Sequence, residues 1–144
     1  MGYDVPMDVT SNTSEQKIPI YKTSEFSEIP FSSKDIIGYE SFDKAFHIEN
    51  YCALEVTGDS MEPLFSNGDI AILHKQNDYK NGNTCAIWID HKEISIKKII
   101  QTPSGIDLIA MNPYYPIRHF TKEEMQRIEI LGKVIEARKR HIFE

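Results

Sequence analysis

The sequence has few cysteines and no long apolar run. Cys52 and Cys85 are its two cysteines, and both lie in apolar segments where small core residues are expected. This number does not fit a secreted disulfide scaffold, so a reducing cytoplasm is the expected location. No run approaches the ~20 apolar residues of a membrane helix, and residues 1–10 contain acids where a signal peptide would have a basic start. A membrane-bound enzyme is therefore disfavoured.

Positive charge is also scarce. The chain has 22 acidic residues against 16 lysines and arginines, a formal net charge of −6. Proteins that bind DNA usually carry a basic patch, whereas the basic cluster at 133–141 is interrupted by Glu136 and is predicted to be a solvated strand end. The histidines have no metal-ligand spacing with one another or with the cysteines. We therefore expect no metal and no other cofactor. The histidines are His47, His74, His91, His119 and His141.

Short apolar runs separated by polar turns predict a mainly β fold, in the form of a coiled, partly open, barrel-like sheet with short helical turns. The helical turns are expected within 32–37, 43–47 and 121–124. Residues 1–16 are polar and lack periodicity, which predicts a flexible lead or linker before a domain at 17–144. The predicted strands are Ile18–Tyr21, Cys52–Val56, Ile70–His74, Thr84–Ile89, Glu93–Ile100, Ile106–Met111 and Ile128–Ala137.

One serine and one lysine have the arrangement that a serine–lysine pair requires. Ser60 follows a tight Gly-Asp turn after a strand-like run, and Lys97 and Lys98 lie in the later apolar run Ile94–Ile100. A serine hydroxyl is a weak nucleophile without a base, and a lysine can be that base where burial lowers its pKa. Residue type alone does not choose between Lys97 and Lys98, which strand alternation places on opposite faces.

Several motifs occur in one order along the chain: Gly58–Pro63, Asn67–Ile70, Asn81–Asn83, Ser95–Ile99, Met111–Pro116 and Ile130–Val134. Together they resemble the self-cleaving serine peptidase domain of LexA-type and phage-type repressors, which is related to UmuD-like proteins and to signal peptidases. The resemblance implies that Ser60 is the nucleophile and Lys97 the general base. It also implies that the backbone amides of Ser60 and Met61 form the oxyanion site.

The same resemblance implies partners. Such domains form homodimers, for which the strand Ile128–Ala137 is the candidate pairing surface, and a RecA filament promotes self-cleavage in members that respond to DNA damage. DNA contact is expected only through a separate domain, because no amphipathic helices precede Ile18. The chain is then either a fragment of a longer repressor or a protein without a DNA-binding domain.

The expected cleavage site departs from the family pattern. The family cuts between alanine or cysteine and glycine, and neither pair occurs in the candidate loop, whose central residues are Glu25, Phe26 and Ser27. Bulky side chains would fit a narrow groove poorly. Cleavage at an unusual bond, cleavage of another chain, and loss of proteolysis with dimerisation retained are all compatible with the sequence, so whether the chain is an enzyme is open here.

The leading hypothesis is the C-terminal dimerisation and peptidase-like domain of a bacterial or phage transcriptional repressor. The alternatives are an active serine–lysine peptidase with an unusual target and a UmuD-like accessory protein of a translesion polymerase. The missing Cys-Gly pair counts against the last of these. We expect the natural chain to stay intact and an Ala-Gly replacement at Phe26 and Ser27 to restore slow cleavage.

Overall fold

A computed structural model of the chain describes residues 16–24, 28–43 and 46–140. The predicted lead at 1–16, apart from Gln16, lies outside the described residues. So do the three candidate cleavage residues, Glu25, Phe26 and Ser27. No helix in the described part of the chain is long and apolar enough to span a membrane.

The mainly β prediction is confirmed by nine strands in one sheet. The strands are β1 (Lys17–Lys22), β2 (Gly38–Ser41), β3 (Tyr51–Glu55), β4 (Ile70–Lys75), β5 (Thr84–Ile89), β6 (Ile94–Thr102), β7 (Gly105–Ile109), β8 (Arg118–Thr121) and β9 (Ile128–Arg138). Their order in the sheet is β2-β1-β3-β4-β9-β5-β6-β7-β8, so the sheet is open, with β2 and β8 at its edges. The described helical segments are three short 3₁₀ turns, Ser33–Asp35, Ile48–Asn50 and Glu124–Arg127.

The two edge strands, β2 and β8, were not among the predicted strands. Each buries one side chain: Glu40 in β2 and Phe120 in β8. An edge strand with a mostly polar surface has no alternating apolar pattern by which it can be identified. The third helical turn begins at Glu124, three residues later than the turn predicted from Thr121.

The first helical turn has the predicted serine cap. Ser32 accepts a 3.4 Å hydrogen bond from the Lys34 amide, and the turn itself spans Ser33–Asp35. The second turn lies at Ile48–Asn50, later than the predicted 43–47, of which residues 44 and 45 lie outside the described residues.

Strand β6 carries both lysines between two parts of the core. Ile94 and Ile96 pack in one apolar cluster with Met61, whereas Ile99 packs in a second cluster with residues of β5 and β7. The buried side of β6 therefore changes between Ile96 and Ile99. Strict alternation predicts Ile100 beside Ile96, but the coiled strand buries Ile99 instead. Lys97 and Lys98 are the two residues between these isoleucines, where the core-facing side of the strand switches.

Candidate functional site

Ser60 lies in the connection between β3 and β4, and both local hydrogen bonds and core contacts fix this connection. The Gly58 amide donates a 2.8 Å hydrogen bond to the Asn67 side chain. Gly58 has a φ of 89°, a conformation that favours glycine. Immediately after the serine, Met61 is 2% exposed, and Phe65 is fully buried. These anchors hold a half-buried Ser60 at the edge of the core.

The structure brings Lys97, rather than Lys98, to Ser60. The Lys97 ammonium donates to Ser60 Oγ over 3.3 Å and to Ser95 Oγ over 2.6 Å. Lys98, by contrast, has an exposed side chain. Nucleophile–base hydrogen bonds are often this long in the absence of substrate. The Lys97 Nζ is therefore within reach of the Ser60 proton.

The surroundings of Lys97 favour its neutral form. Burial is the main cause that lowers the pKa of the Lys97 amine, and repulsion from Arg118 lowers it further. Glu93 acts in the opposite direction and only partly offsets these effects. A lysine with a depressed pKa has a larger fraction of unprotonated amine at a given pH, which is the form that accepts a proton.

A cavity of about 230 Å³ opens beside Ser60 and Lys97. One wall is formed by the chain that leads into the candidate cleavage loop: Ser24 is the last described residue before this loop. The Thr23 carbonyl accepts a 2.8 Å hydrogen bond from the Ile94 amide at the start of β6. The cavity is lined by Thr23, Ser24, 56–61, 93–97 and Tyr115.

The two amides predicted to form an oxyanion site belong to Ser60 and to the residue that follows it. Neither the Ser60 nor the Met61 N–H donates a hydrogen bond to another described residue. Both groups are accordingly free among these residues to meet an incoming acceptor. Donors of this kind stabilise an oxyanion only if they are held in place before the reaction.

Asp59 supports the turn through its side chain. Its carboxylate accepts a short hydrogen bond from the Tyr115 hydroxyl. This hydrogen bond is the main cause that raises the pKa of Tyr115, because it favours the protonated phenol. This contact ties the turn that precedes Ser60 to the loop at 111–116.

Sequence reasoning missed two polar neighbours of the site. Ser95 lies two positions before Lys97, so strand alternation puts both side chains on one face, and this spacing could have identified it. No sequence signal pairs Tyr115 with Asp59, which is 56 positions away.

Comparison with known proteins gives the family. Residues 15–135 match the family model described as Peptidase S24-like. The chain belongs to the peptidase S24-like family. The predicted resemblance to LexA-type peptidase domains is thus confirmed.

The curated relatives of this S24-like chain include LexA repressors. That of Gluconobacter oxydans (strain 621H) is 39% identical over 88 residues, which cover 60% of this chain and 35% of the relative. That of Acidiphilium cryptum (strain JF-5) is 32% identical over 94 residues, or 65% of this chain and 39% of the relative. That of Ruegeria sp. (strain TM1040) is 29% identical over 84 residues, or 58% of this chain and 34% of the relative. The matches thus span little more than a third of these relatives.

The S24-like chain contains two free cysteines, Cys52 and Cys85, both fully buried. Burial raises the pKa of the Cys52 thiol to about 12 and that of the Cys85 thiol to about 11. Thiolates are the nucleophilic form of cysteine, so neither cysteine is a candidate nucleophile at neutral pH. Among the described residues, no group of three or more histidine, cysteine or acidic side chains could hold a metal ion.

The basic C-terminal segment is engaged within the molecule. Arg138 and Arg140 both pair with the buried Glu40, and Lys139 lies 3.2 Å from Asp69. Burial alone would raise the pKa of Asp69, but hydrogen bonds from the backbone amides of Ser66 and Arg140 and from Lys139 hold it below its ordinary value. These pairs favour the prediction of a strand end over a phosphate-binding patch, and they make Asp69 a link between the turn and the C-terminal segment.

Ser104, outside this site, also contacts a basic side chain in the S24-like domain. Ser104 Oγ lies 3.0 Å from His119 Nε2, and His119 Nδ1 lies 2.7 Å from Asp107 Oδ1. These contacts match the order of a serine–histidine–aspartate triad. Ser104 is exposed, and the His119 and Asp107 side chains are 38% and 27% exposed. We interpret this constellation as a surface hydrogen-bond network.

Proposed function

We propose that this chain is the peptidase and association domain of a LexA-like repressor and that Ser60 and Lys97 form its catalytic pair. The observation that carries this proposal is the 3.3 Å separation of Ser60 Oγ and Lys97 Nζ at the wall of a cavity. The similarity to LexA repressors supports the repressor context. We assign operator binding to a separate domain of such a repressor, in the part of the LexA relatives that the match to this chain does not cover.

The geometry supports acyl transfer to serine. The neutral Lys97 amine takes the Ser60 proton while Oγ attacks the scissile carbonyl carbon, and the oxyanion forms beside the Ser60 and Met61 amides. The C–N bond then breaks, and the Lys97 ammonium returns its proton to the leaving amine. Water hydrolyses the resulting ester by the same proton transfers.

The candidate substrate is the loop of the chain itself. Thr23 and Ser24 line the cavity and lead directly into the predicted cleavage residues. A carbonyl that reacts with Ser60 must lie within about 3–3.5 Å of its oxygen, which large side chains in a narrow groove hinder. We therefore expect Glu25 and Phe26 to make the natural loop a slow substrate for a competent centre.

Self-cleavage at alkaline pH tests the proposal. The purified chain and a Phe26→Ala/Ser27→Gly variant are incubated from pH 7 to 10.5, and mass spectrometry identifies the fragments. We expect slow cleavage in the loop of the variant and little or none in the natural chain. A RecA filament is added as a separate arm, because it is the candidate accelerator.

Ser60→Ala and Lys97→Ala, each made in the Ala-Gly variant, should abolish the cleavage, since nucleophile and base act as a unit. Lys98→Ala is the matched control and should retain most of it. An Ala-Gly variant that stays whole at every pH would count against a working peptidase. Cleavage that survives Ser60→Ala would assign the reaction to another group.

Association is a second proposed function, supported by the pairing of β9. Residues 128–133 pair with β5, and residues 132–138 pair with β4, so the C-terminal half has a β-strand on one side only among the described residues. Ile135 in this half is 43% exposed. A partly open strand edge beside exposed apolar surface is a ready template for pairing with a second copy.

Sedimentation at tens of micromolar tests association. We expect a homodimer for the natural chain and a shift toward monomer for Ile135→Asp. Ile117→Asp is the matched control, because Ile117 is 59% exposed but lies outside β9. A natural chain that stays monomeric throughout would contradict association by this domain alone. If Ile135→Asp and Ile117→Asp weaken the dimer equally, β9 is not the dimer interface.

A further inference from the structure

The loop at 111–116 has no part in the proton transfers, yet Asn112 reaches the nucleophile turn twice. The Asn112 backbone amide donates to the Ser60 carbonyl over 2.9 Å. Its side-chain amide donates to the Asp59 carbonyl over 3.0 Å. One half-buried residue therefore holds two successive carbonyl groups of the turn.

Each of these carbonyls belongs to the same peptide group as a candidate oxyanion donor. The Asp59 carbonyl shares a planar group with the Ser60 N–H, and the Ser60 carbonyl shares one with the Met61 N–H. In a planar trans peptide, the C=O and N–H bonds point in opposite directions. A hydrogen bond that fixes the direction of the carbonyl therefore also fixes the direction of the N–H.

We propose that Asn112 is a positioning residue that orients the Ser60 and Met61 amides as oxyanion donors, an inference that rests on the proposed peptidase function. The Asn112 side chain governs the Ser60 amide, whereas its backbone governs the Met61 amide. Oxyanion donors act by being held in place before charge develops. Asn112 supplies this restraint by holding the carbonyl oxygens of both peptide groups, opposite their N–H groups.

Asn112 is itself held in a single orientation. Its side-chain oxygen accepts a 3.0 Å hydrogen bond from the Tyr114 amide, which leaves the side-chain NH₂ to donate to Asp59. The Asn112 carbonyl accepts from the Tyr115 amide over 3.1 Å. The Tyr115 hydroxyl donates to the Asp59 carboxylate, and the Met111 amide donates to Met61 Sδ over 3.3 Å. With the two Asn112 hydrogen bonds, the loop and the turn are tied at four points.

Without the Asn112 side chain, the Asp59 carbonyl would keep one weaker partner. The Glu62 amide donates to it over 3.2 Å within the turn. Both partners of that bond lie within the turn, so the bond does not anchor the turn to the rest of the fold. The peptide group between Asp59 and Ser60 would then gain rotational freedom, while the group between Ser60 and Met61 would keep its backbone anchor.

Asn112→Asp and Asn112→Ala test this proposal. Aspartate retains the acceptor for Tyr114 and nearly the same shape but removes the donor to Asp59. Asn83→Ala is the matched control, because it removes a 2.9 Å hydrogen bond from the Lys80 amide to an asparagine side chain in another turn. Thermal unfolding identifies any variant that fails to fold. If Asn112→Ala does not fold, Asn112→Asp still tests the proposal.

The first measurement is ¹⁵N relaxation and amide exchange, which require no catalysis. We expect a rigid Ser60 amide in the natural chain. In both Asn112 variants this amide should become mobile, and the Met61 amide should change less. An unchanged Ser60 amide, or an equal change in Asn83→Ala, would overturn the proposal.

The second measurement is the rate at which a small phosphonofluoridate modifies Ser60 as a function of pH. In this reaction the Oγ–P bond forms, the P–F bond breaks, the proton passes to Lys97 and fluoride leaves. We expect the plateau rate to fall by roughly 10- to 100-fold in both Asn112 variants. Asn112→Ala should keep the pH midpoint of the natural chain, because it adds no charge near Lys97, whereas the new carboxylate of Asn112→Asp favours the Lys97 ammonium and raises the midpoint. A shifted midpoint in Asn112→Ala, or an unchanged plateau rate in both variants, would overturn the proposal.

The two proposals fail in different ways. If the natural chain neither reacts with the phosphonofluoridate nor cleaves in its Ala-Gly form, the peptidase function fails. The relaxation data then still decide whether Asn112 orients the Ser60 amide. If the natural chain reacts but the Asn112 variants match it in both measurements, the peptidase function stands and the positioning inference fails.

Discussion

Ser60 and Ser104 each contact a basic nitrogen, and their settings differ. Ser60 meets Lys97 in a cavity beside the core, 3.3 Å away. Ser104 meets His119 at the surface, 3.0 Å away, with Asp107 behind the histidine. By residue type and distance alone, the surface network is the better match to a hydrolase triad. Contact geometry is therefore not sufficient to identify a nucleophile.

Burial and backbone support separate the two serines. Burial lowers the pKa of Lys97 and so turns an ordinary cation into a candidate base. The Ser60 turn also presents two amides whose carbonyls are anchored by Asn112. Ser104 lies in an exposed turn where water solvates developing charge and weakens the electrostatic interactions. We infer that the surroundings make the Ser60 pair the reactive one.

The largest expected difference is in covalent labelling. With the phosphonofluoridate at pH 9, we expect modification at Ser60 and none at Ser104, located by peptide mass mapping. Ser60→Ala should reduce the labelling rate to background, at least about 100-fold, because it removes the proposed nucleophile. Ser104→Ala should leave the rate unchanged. Labelling that follows Ser104 would reverse the comparison and identify the surface network as the reactive site.

The second expected effect is the pH dependence at Ser60. Because the neutral Lys97 amine is the proposed base, the labelling rate should rise with pH and level off above the pKa of Lys97 in the folded protein, which is lower than that of an exposed lysine. Lys97→Met should remove most of this rise, whereas Lys98→Met should preserve the profile. A rate independent of pH, or one that responds to Lys98, would contradict the assignment.

The same depressed pKa has a consequence for folding. Between the folded and unfolded pKa values of Lys97, the unfolded chain binds more protons, so this residue makes the free energy of unfolding rise with pH over that window. Below the folded pKa of Lys97, the partly desolvated ammonium opposes folding. Lys97→Met should therefore leave stability at neutral pH unchanged or increased, as measured by urea unfolding.

Much of this site was predictable from sequence, and the exceptions have a common physical origin. The β class follows from short apolar runs, and Ser60 and Lys97 follow from ordered motifs. The choice of Lys97 over Lys98 needed the motif match, because the coiled β6 changes its buried side between Ile96 and Ile99. A local pattern of alternation cannot represent that change.

The supporting residues were less accessible to sequence reasoning. Asn112 contacts a carbonyl 53 positions away, and Tyr115 contacts a carboxylate 56 positions away. Such contacts depend on the arrangement of β7, β8 and the loop between them, which no periodicity encodes. The edge strands β2 and β8 were missed because each buries one side chain among polar ones.

The smallest expected effect is the stability change on removing the surface network. His119 is partly exposed and contacts Ser104 and Asp107 across the β7–β8 pair. Exposed ion pairs and hydrogen bonds contribute about 0–1 kcal/mol, because water competes for both partners. We therefore expect His119→Ala to lower the free energy of unfolding by less than about 1 kcal/mol in urea and to leave Ser60 labelling unchanged. Asp107→Asn should behave alike, since the two residues act through one contact. A loss above about 2 kcal/mol, or slower labelling of Ser60, would show that the network holds β8 and its Arg118 against the site, and the two serines would then belong to one coupled system.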